Sequence, residues 1–313
     1  MAIYLITGVA GFIGSSLARA ILARGEQVRG LDNFSTGKRE NVSEILSRID
    51  LHEADLLDIN AAQQACQGVD YVLHQAAIPS VPRSVRDPLE SNRVNIDATV
   101  NLLIAARDAK VKRVIYAASS SAYGDTPTLP KREDMLPNPI SPYAVAKLAG
   151  ENYMCSFWRC YGLETVSLRY FNVFGPRQDP TSPYSGVLAK FITQMLQGEH
   201  PTIFGDGRQS RDFAYVENVG HANLLACSAP GKQVVGQVFN IATGVRFDLN
   251  ETFRLLKKLT GYSGEVKYGP ERTGDVKHSL ADLSLAKKHL GYEPSVDFEE
   301  GLRRTIEWYR AQR

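Results

Sequence analysis

The chain has 313 residues, which is long enough for two lobes around a large hydrophobic core. Its 36 basic and 34 acidic residues nearly cancel, so the charge balance disfavours nucleic acid and an anionic membrane as partners. The four cysteines lack the spacing of a metal site or a disulfide framework, and no apolar run approaches the roughly 18 residues of a membrane span. We therefore expect a cytoplasmic α/β enzyme without a bound metal.

A glycine-rich turn follows the first predicted strand. Residues 2–7 form a short β-rich apolar run, and Gly8, Gly11 and Gly14 follow it before a helix predicted over residues 15–23. Glycines at this spacing allow a tight turn and bring the backbone close to a pyrophosphate, which binds at the N terminus of the helix. The pattern is typical of a dinucleotide-binding βαβ unit.

The second predicted strand, residues 27–31, ends at Asp32. An acidic side chain at this place can accept hydrogen bonds from both ribose hydroxyls of NAD, and it would repel the 2′-phosphate of NADP. No arginine follows directly, since Asn33 and Phe34 come next. The sequence therefore predicts NAD as the cofactor.

The alternation of strands and helices continues through the chain. Further strands are predicted over residues 50–54, 69–75, 113–118, 165–168, 202–204, 213–216 and 238–241. Further helices are predicted over residues 88–107, 142–161, 187–197, 219–229, 249–259 and 302–313. This order predicts a Rossmann-like, doubly wound parallel sheet of the α/β class, with ligands at the carboxyl ends of the strands.

Composition changes after about residue 170 and predicts a second, smaller α+β lobe for the substrate. We expect the cofactor-binding domain to cover residues 1–169 plus about 213–243. The substrate-binding lobe is then predicted over about 170–212 plus 244–295, and residues 296–313 form a closing helix. In the fourth predicted strand, His74 is interpreted as a core or hydrogen-bonded histidine.

The strongest catalytic candidate lies at the start of the helix predicted over residues 142–161. Ser141 is a good N-cap and proline suits the first helical position, so Tyr143 and Lys147 lie one turn apart on one helix face. A free phenol has a pKa of about 10, and a nearby ammonium group lowers it. We expect Lys147 to bring the pKa of Tyr143 to about 7. Such a pair also occurs on ordinary helix faces, so the assignment depends on the rest of the chain.

Together these motifs resemble those of the extended short-chain dehydrogenase/reductases, and within them the nucleotide-sugar 4-epimerases. The resemblance covers essentially the whole chain. It rests on the glycine turn, Asp32, Asp55-Leu56, Ser119, Tyr143-x-x-x-Lys147, Tyr170-Phe-Asn172-Val-Phe-Gly175 and Arg211-Asp212-Phe213. It implies tightly held NAD, a uridine diphosphate sugar as substrate, and Ser119, Tyr143 and Lys147 as the catalytic residues.

The resemblance also implies two sets of binding residues. The cofactor set is Gly8, Gly11, Phe12, Ile13, Gly14, Asp32, Asn33, Asp55, Leu56, Gln75, Ala76, Ala77, Asn95, Tyr143, Lys147 and Tyr170. The substrate set is Arg83, Ser121, Tyr143, Asn172, Val187, Arg211, Arg272, Asp275 and Ser279. Within it, Arg211 and Arg272 are predicted to bind phosphate, because the guanidinium fork suits that group.

Two positions indicate which member of the family the chain resembles. Dehydratases of this superfamily carry an acidic pair after the catalytic hydroxyl, where this chain has Ser120 and Ser121, so elimination of water is disfavoured. In related epimerases, the residue at the position of Ser279 borders the space beside the sugar C2 substituent. A tyrosine at this position resembles the enzymes limited to UDP-glucose and UDP-galactose, whereas a small residue admits an N-acetyl group. Residues 81–85 also resemble those of enzymes that prefer N-acetylated sugars. We expect a UDP-N-acetylglucosamine 4-epimerase with some activity on UDP-glucose.

Several alternatives stay open at this point. They are a 4-epimerase specific for UDP-glucose, a UDP-glucuronate 4-epimerase or decarboxylase, and a non-catalytic NAD-binding regulator. Such a regulator would have no reason to keep Ser119, Tyr143 and Lys147 together. Some relatives hold the cofactor with a lysine after the fourth strand, where this chain has Ile78-Pro79-Ser80, so the strength of NAD retention is open. Helices 88–107 and 142–161 fit a homodimer interface, but their apolar residues would equally pack on the sheet.

Overall fold

The computed structural model describes residues 1–181, 186–271 and 277–312, and a parallel sheet lies at its centre. The strands in chain order are β1 (Ile3–Thr7), β2 (Gln27–Asp32), β3 (Asp50–Glu53), β4 (Tyr71–His74), β5 (Arg113–Ser119), β6 (Thr165–Tyr170), β7 (Val173–Phe174), β8 (Thr202–Phe204), β9 (Ser210–Asp212), β10 (Ala214–Tyr215), β11 (Gln237–Ile241), β12 (Arg246–Asp248) and β13 (Lys267–Gly269). Seven of them form one parallel sheet in the order β11-β6-β5-β4-β1-β2-β3. The predicted doubly wound, Rossmann-like sheet is therefore confirmed.

Helices cover both faces of this sheet and build the second lobe. They are α1 (Phe12–Ala23), α2 (Ile59–Cys66), α3 (Val81–Arg86), α4 (Pro88–Asn92), α5 (Ala98–Asp108), α6 (Pro142–Tyr161), α7 (Val187–Leu196), α8 (Val216–Ser228), α9 (Gly231–Val234), α10 (Leu249–Thr260), α11 (Ser284–Leu290) and α12 (Phe298–Ala311). A π-helical segment, Arg93–Asp97, joins α4 to α5. Short 3₁₀ turns occur at Arg39–Asn41, Ser43–Arg48 and Ser120–Tyr123. Among the described residues, no helix is long and apolar enough to cross a bilayer.

Neighbouring residues of the central strands face opposite sides of the sheet, which explains their nearly continuous apolar sequences. Ile6 packs in a core with residues of α1 and α8, whereas Leu5 packs on the other side with residues of α2, α5 and α6. Both side chains are fully buried. The two cores hold the strand ends rigidly in place, and these ends carry the candidate site.

The second lobe has a core of its own. It is formed by α7, α10 and α12 with the strand pairs β8–β13 and β9–β12, and stacked aromatic rings lie at its centre. Phe298 stacks on Phe213 at 5.0 Å and on Phe247 at 4.4 Å between ring centroids. Helix α11 lies within the segment predicted for this lobe, but Ala286 and Leu290 pack into a core of the central sheet.

The long helix predicted over residues 88–107 is present, with a π-helical turn in its middle. The helical stretch runs from Pro88 to Asp108 through α4, the π segment and α5, and Asp87 caps its start by accepting a hydrogen bond from the Glu90 amide. Helix α3, which comes directly before it, was not predicted. Helices α2, α9 and α11 were not predicted, and neither were strands β7, β12 and β13. Residues 210–212, for which no strand was predicted, form β9 and pair with β12.

His74 is a buried hydrogen-bonded histidine, as predicted from its place in an apolar strand. Its Nδ1 lies 2.8 Å from the hydroxyl of Thr7, and its Nε2 lies 2.9 Å from the hydroxyl of Thr99. Burial, and to a lesser extent the positive charge of Lys147, lowers the pKa of His74 to about 3. The imidazole is therefore neutral in the folded protein at neutral and mildly acidic pH.

This histidine gives the protein an expected sensitivity to acid. Because the pKa of His74 is lower in the folded than in the unfolded chain, the unfolded chain binds more protons between pH 6.5 and about 3. The free energy of unfolding therefore decreases as the pH is lowered through that window. Between pH 6.5 and 5 the loss amounts to about 2 kcal/mol. In urea unfolding at both pH values, the decrease in the free energy of unfolding should be smaller by this amount in His74→Gln than in the wild type. Equal losses in the two proteins would contradict the assignment.

Candidate active site

A large cleft at the carboxyl ends of the strands, about 950 Å³ in volume, contains most of the predicted site residues. It runs from the glycine turn after β1, past the start of α6, to the second lobe. The predicted residues that line it are Gly8, Gly11, Phe12, Ile13, Gly14, Asp32, Asn33, Asp55, Leu56, Gln75, Ala76, Ala77, Arg83, Ser119, Ser121, Tyr143, Lys147, Tyr170, Asn172, Arg211 and Ser279. Residues far apart in sequence are thus brought to one surface.

Two predicted residues do not line the cleft. Asn95 is buried in the π segment, where its side chain accepts a hydrogen bond from the Ile78 amide at 2.8 Å and so holds the loop after β4. Val187 starts α7 and packs against the core of the second lobe. Their direct contacts with cofactor and substrate stay predictions. The other two, Arg272 and Asp275, lie outside the described residues.

The glycine turn requires glycine because other parts of the chain approach it closely. Gly8 has a φ of +68°, and a Cβ on it would lie 2.8 Å from the amide nitrogen of Ala76. A Cβ on Gly14 would lie 2.1 Å from the carbonyl oxygen of Gly8. Gly11 is the N-cap of α1, which begins at Phe12 rather than at the predicted residue 15. The turn thus places unshielded backbone amides at a helix N terminus, as pyrophosphate binding requires.

Asp32 is held at the end of β2 by two backbone amides. Its carboxylate accepts hydrogen bonds from the amides of Ala10 and Phe34, each at 2.8 Å. Burial raises the pKa of Asp32, and these two hydrogen bonds oppose the rise. A carboxylate has about four acceptor positions, so Asp32 keeps capacity for two ribose hydroxyls. Close by, the amide of Asn33 bonds the carboxylate of Asp55 at 2.8 Å.

The opposite end of the cleft contains a buried acceptor that lacks a protein donor. The Gln75 side chain donates to the Tyr170 hydroxyl at 3.3 Å, but its Oε1 atom is buried without a hydrogen-bond partner among the described residues. Tyr170 is fixed in turn by the amide of Asn223 at 2.8 Å. Buried acceptors are rarely left unpaired, so this oxygen fits the amide N–H group of a nicotinamide. The glycine turn, Asp32 and Gln75 together fit a dinucleotide.

Helix α6 begins as predicted, and two serines fix its first turn. Ser141 is the N-cap and accepts a hydrogen bond from the Ala144 amide at 3.2 Å. Ser84, which is fully buried in α3, accepts one from the amide of Tyr143 at 3.0 Å. The backbone of the candidate catalytic tyrosine is therefore held from a second element. The sequence offered no signal for Ser84, because this contact spans 59 residues.

The candidate base is connected to a pair of serine hydroxyls. Ser119 lies close enough to the phenol of Tyr143 to lower its pKa, and Ser121 donates to the Ser119 oxygen at 2.8 Å. Burial raises the pKa of Tyr143, while the hydrogen bond from Ser119 lowers it. The prediction that Lys147 brings this pKa to about 7 is wrong for the protein alone, because the lysine is buried as well. Its ammonium donates to the carbonyl of Ala117 at 2.9 Å.

Burial lowers the pKa of Lys147 to about 8, and the charge of Glu151 opposes this shift. Glu151 lies one turn beyond Lys147 on α6 and forms an ion pair with Arg169 at 2.8 Å, in which each side chain is less than 5% exposed. The guanidinium of Arg169 also lies 4.6 Å from the ring centroid of Tyr123, which follows the Ser119–Ser121 turn. Sequence reasoning missed this pair, although the spacing of Lys147 and Glu151 was a signal.

A glycine lets α6 approach the sheet closely. A Cβ on Gly150 would lie 2.2 Å from the hydroxyl oxygen of Tyr116 in β5. The ammonium of Lys147 lies 4.9 Å from the centroid of the same ring. The close approach allows Lys147 to reach the Ala117 carbonyl and places Tyr143 beside the end of β5.

On the side of the second lobe, Ser279 is packed among fixed backbone groups. Its hydroxyl accepts hydrogen bonds from the side-chain amide of Asn172 at 3.1 Å and from the Asp212 backbone amide at 3.3 Å. Arg211 donates to the carbonyl of Lys277 at 3.0 Å and lines the cleft. Arg83 forms an ion pair with a glutamate of α4. Ser279 thus presents a small, immobile surface to the cleft.

Comparison with known proteins extends these observations. The model of the NAD dependent epimerase/dehydratase family matches residues 4–242. The structure of the UDP-glucose 4-epimerase of Thermotoga maritima with UDP-glucose superposes with a TM-score of 0.94 at 41% identity, covering 99% of each chain.

Two further structures are similar over nearly the whole length. The UDP-N-acetylglucosamine 4-epimerase of Methanobrevibacter ruminantium, in complex with UDP-N-acetylmuramic acid, has a TM-score of 0.95 and 42% identity and covers 100% of this chain and 99% of that one. The UDP-glucose 4-epimerase of Thermus thermophilus in complex with NAD has a TM-score of 0.89 and 37% identity and covers 98% of this chain and 99% of that one. The similar proteins thus include enzymes named for both kinds of sugar.

Proposed function

Because the chain belongs to the NAD-dependent epimerase/dehydratase family, we propose that it interconverts UDP-N-acetylglucosamine and UDP-N-acetylgalactosamine, and also UDP-glucose and UDP-galactose. The cofactor, NAD, and the reaction class, 4-epimerisation of UDP sugars, follow from the family and its similar structures. The choice of sugar and the roles of individual residues are the proposal. A small residue at position 279 carries it.

Ser279 supports the acceptance of an N-acetyl group because it leaves room in the cleft. Its hydroxyl is turned toward Asn172 and the backbone of Asp212, so the side chain adds little volume on the cleft side. A tyrosine ring in its place would project into the space that the sugar needs. The similarity to the Methanobrevibacter enzyme, which is named for the N-acetylated sugar, agrees with this choice.

The contacts around the start of α6 support the following catalytic roles. Tyr143, as phenolate, would take the proton of the sugar 4-hydroxyl, and Ser119 would hydrogen-bond and orient the same oxygen. Lys147 would keep positive charge beside the phenolate and bond the nicotinamide ribose. When bound, NAD supplies the acceptor for the C4 hydride and the means of returning it. Tyr143 would return the proton to the oxygen after the 4-keto sugar has turned.

Because the sugar must turn between the two half-reactions, we infer that the protein holds the substrate mainly by its diphosphate and uracil. Arg211 lines the cleft and would bind a phosphate. Asn172, Ser121 and Arg83 would line the sugar side of the cleft. Arg272 and Asp275 remain predictions.

We also propose a homodimer, and a division into two lobes in which α11 belongs with the central sheet and α12 with the second lobe. Some apolar residues of the two helices predicted for the interface, namely Leu103, Ala106 and Phe157, are buried against the sheet. The exposed apolar side chains on α3, α4 and α6 support a dimer through this face, and sedimentation velocity tests it. They include Val85, Leu89, Val145 and Tyr153, which are 64%, 77%, 51% and 39% exposed.

An epimerase restricted to UDP-glucose is the second candidate, favoured by the similarity to the Thermotoga enzyme. Incubation of the purified protein with UDP-N-acetylglucosamine, UDP-glucose and UDP-glucuronate, followed by anion-exchange chromatography or NMR, separates the two candidates. Conversion of the first two sugars, and not of the third, is expected. Conversion of UDP-glucose alone would leave the epimerase assignment in place and contradict the choice of sugar.

Ser279→Tyr is expected to lower kcat/KM for UDP-N-acetylglucosamine by about 10- to 200-fold while retaining activity on UDP-glucose, because the ring excludes the N-acetyl group. The matched control is Ser279→Ala, which removes the hydrogen bonds from Asn172 and Asp212 without adding volume. We expect it to act on both sugars. If Ser279→Tyr loses both activities equally, or neither, position 279 does not select the sugar.

A further inference from the structure

The segment Gly175–Thr181 joins β7 to the residues that precede α7, and it lies along the cofactor end of the cleft. Three consecutive side chains of this segment, Arg177, Gln178 and Asp179, line the cleft together with Asp32 and Lys38. The backbone carbonyl of Gln178 accepts a hydrogen bond from the Tyr309 hydroxyl of α12. The segment is thus fixed to the second lobe and faces the residues expected to hold the adenosine half of the cofactor.

Arg177 ties this segment to α1. Its guanidinium donates to the hydroxyl of Ser16, in the second turn of α1, at 3.1 Å. Arg177 has a φ of +68°, in the left-handed region that non-glycine residues rarely adopt. Its Nε atom is buried without a hydrogen-bond partner among the described residues. A strained backbone and an unpaired buried donor occur together at this residue, which indicates a functional constraint.

The charge environment of Arg177 favours an anion beside it. Burial, followed by repulsion from Arg19, lowers the pKa of Arg177 to about 10, and the carboxylates of Glu44 and Glu217 oppose this only in part. The helix that Arg177 contacts also presents its positive end to the glycine turn. An anion at the start of α1 would offset the repulsion of Arg177 by Arg19 and by the positive end of the helix. The pyrophosphate of the cofactor is expected to bind at this place.

An ion pair between Asp179 and Lys38 forms a second, outer contact across the cleft. One carboxylate oxygen of Asp179 lies 3.0 Å from the ammonium of Lys38, while the other accepts hydrogen bonds from the amide and hydroxyl of Thr181. Lys38 follows Gly37, where a Cβ would lie 2.9 Å from both carboxylate oxygens of Asp32. The ion pair therefore reaches from the second lobe to the turn next to the ribose-binding carboxylate.

We infer that the segment Gly175–Thr181 is a cofactor strap, which the contacts Arg177–Ser16 and Asp179–Lys38 hold across the adenosine and pyrophosphate end of bound NAD. The dinucleotide can leave only when both contacts open. Such a strap supplies retention in a chain that lacks a lysine after the fourth strand. It concerns NAD alone and does not depend on which sugar is the substrate.

Release of NAD from the purified holoenzyme tests the outer contact without any sugar present. Bound NAD is measured after gel filtration, and its release is followed by dilution into an NAD-consuming enzyme. Asp179→Asn is expected to speed release by about 2- to 5-fold, as for a partly exposed ion pair, with Asp179→Glu as the charge-retaining control. The difference should vanish at about 1 M salt, where such pairs are screened.

Substitution of Lys38, the partner of Asp179, tests the same ion pair from its other side. Lys38→Gln should speed release as much as Asp179→Asn, and the double variant no more than either single one, because both remove one interaction. Additive effects in the double variant, or release rates equal to that of the wild type, would overturn the outer contact.

The inner contact is tested in the same assay. Arg177→Gln should speed release by about tenfold or more, as expected for the loss of charged hydrogen bonds, and Arg177→Lys should restore part of the retention. Wild-type release from Arg177→Gln would overturn the role of this arginine. Because the readout is cofactor release, its failure is distinguishable from failure of the proposed substrate.

Discussion

Tyr143→Phe is expected to lower the turnover of UDP-glucose by about 10²- to 10⁴-fold, with NAD still bound. The substitution removes the phenolic oxygen that exchanges the proton and keeps the ring, so packing in the cleft is retained. The first half-reaction then lacks a proton acceptor of suitable geometry, and the second lacks a proton donor. Turnover is measured by anion-exchange chromatography of the sugar nucleotides, and bound NAD by absorbance after the protein is denatured.

The same helix offers a matched control for this experiment. Tyr153 lies on α6 as well, is 39% exposed and does not line the cleft, so Tyr153→Phe should leave turnover unchanged. Loss of NAD from Tyr143→Phe would show that the phenol serves binding more than proton transfer. Turnover within about threefold of the wild type would refute Tyr143 as the general acid and base.

Glu151→Gln is expected to lower the free energy of unfolding by about 3–5 kcal/mol, because it leaves the buried charge of Arg169 without its partner. One guanidinium nitrogen of Arg169, Nη1, already lacks a hydrogen bond among the described residues, so the protein has little means of compensating. Urea unfolding of the wild type and the variant gives the difference directly.

Two controls separate the buried charge from other effects of this substitution. Glu307→Gln removes an exposed partner of Arg303 on α12 and should cost no more than about 1 kcal/mol. Replacing both Glu151 and Arg169 by methionine removes the charges together and should recover most of the loss, since an apolar pair needs no compensation. A double variant as unstable as Glu151→Gln would contradict the electrostatic explanation.

Sequence reasoning performed best where the signal is local. The start of α6 was predicted from Ser141 and the proline after it, and both lie within one helical turn of Tyr143. Asp32 was predicted from the end of one strand, and its two amide donors come from the turns beside it. His74 was predicted from its apolar strand. In each case the residues that decide the structure lie in or next to a regular element.

It failed where a contact joins distant segments or where burial changes a property. Gln75 meets Tyr170 across 95 residues, and Arg177 meets Ser16 across 161, so no local pattern indicates either pair. The pKa of Tyr143 was mispredicted because helix spacing gives the distance to Lys147 but not the cost of burying both groups.

The contact between Gly150 and Tyr116 has a consequence for how the reaction is divided between protein and substrate. Helix α6 lies so close to β5 that it has no room to shift toward the sheet as the reaction proceeds. Tyr143, the proposed proton donor and acceptor, would therefore stay at one place during both half-reactions. Only the 4-keto sugar would then reorient, so the same protein atoms would act on both epimers, taking the proton in one half-reaction and returning it in the other. We expect stereochemistry at C4 to be decided by the motion of the sugar within a stationary protein.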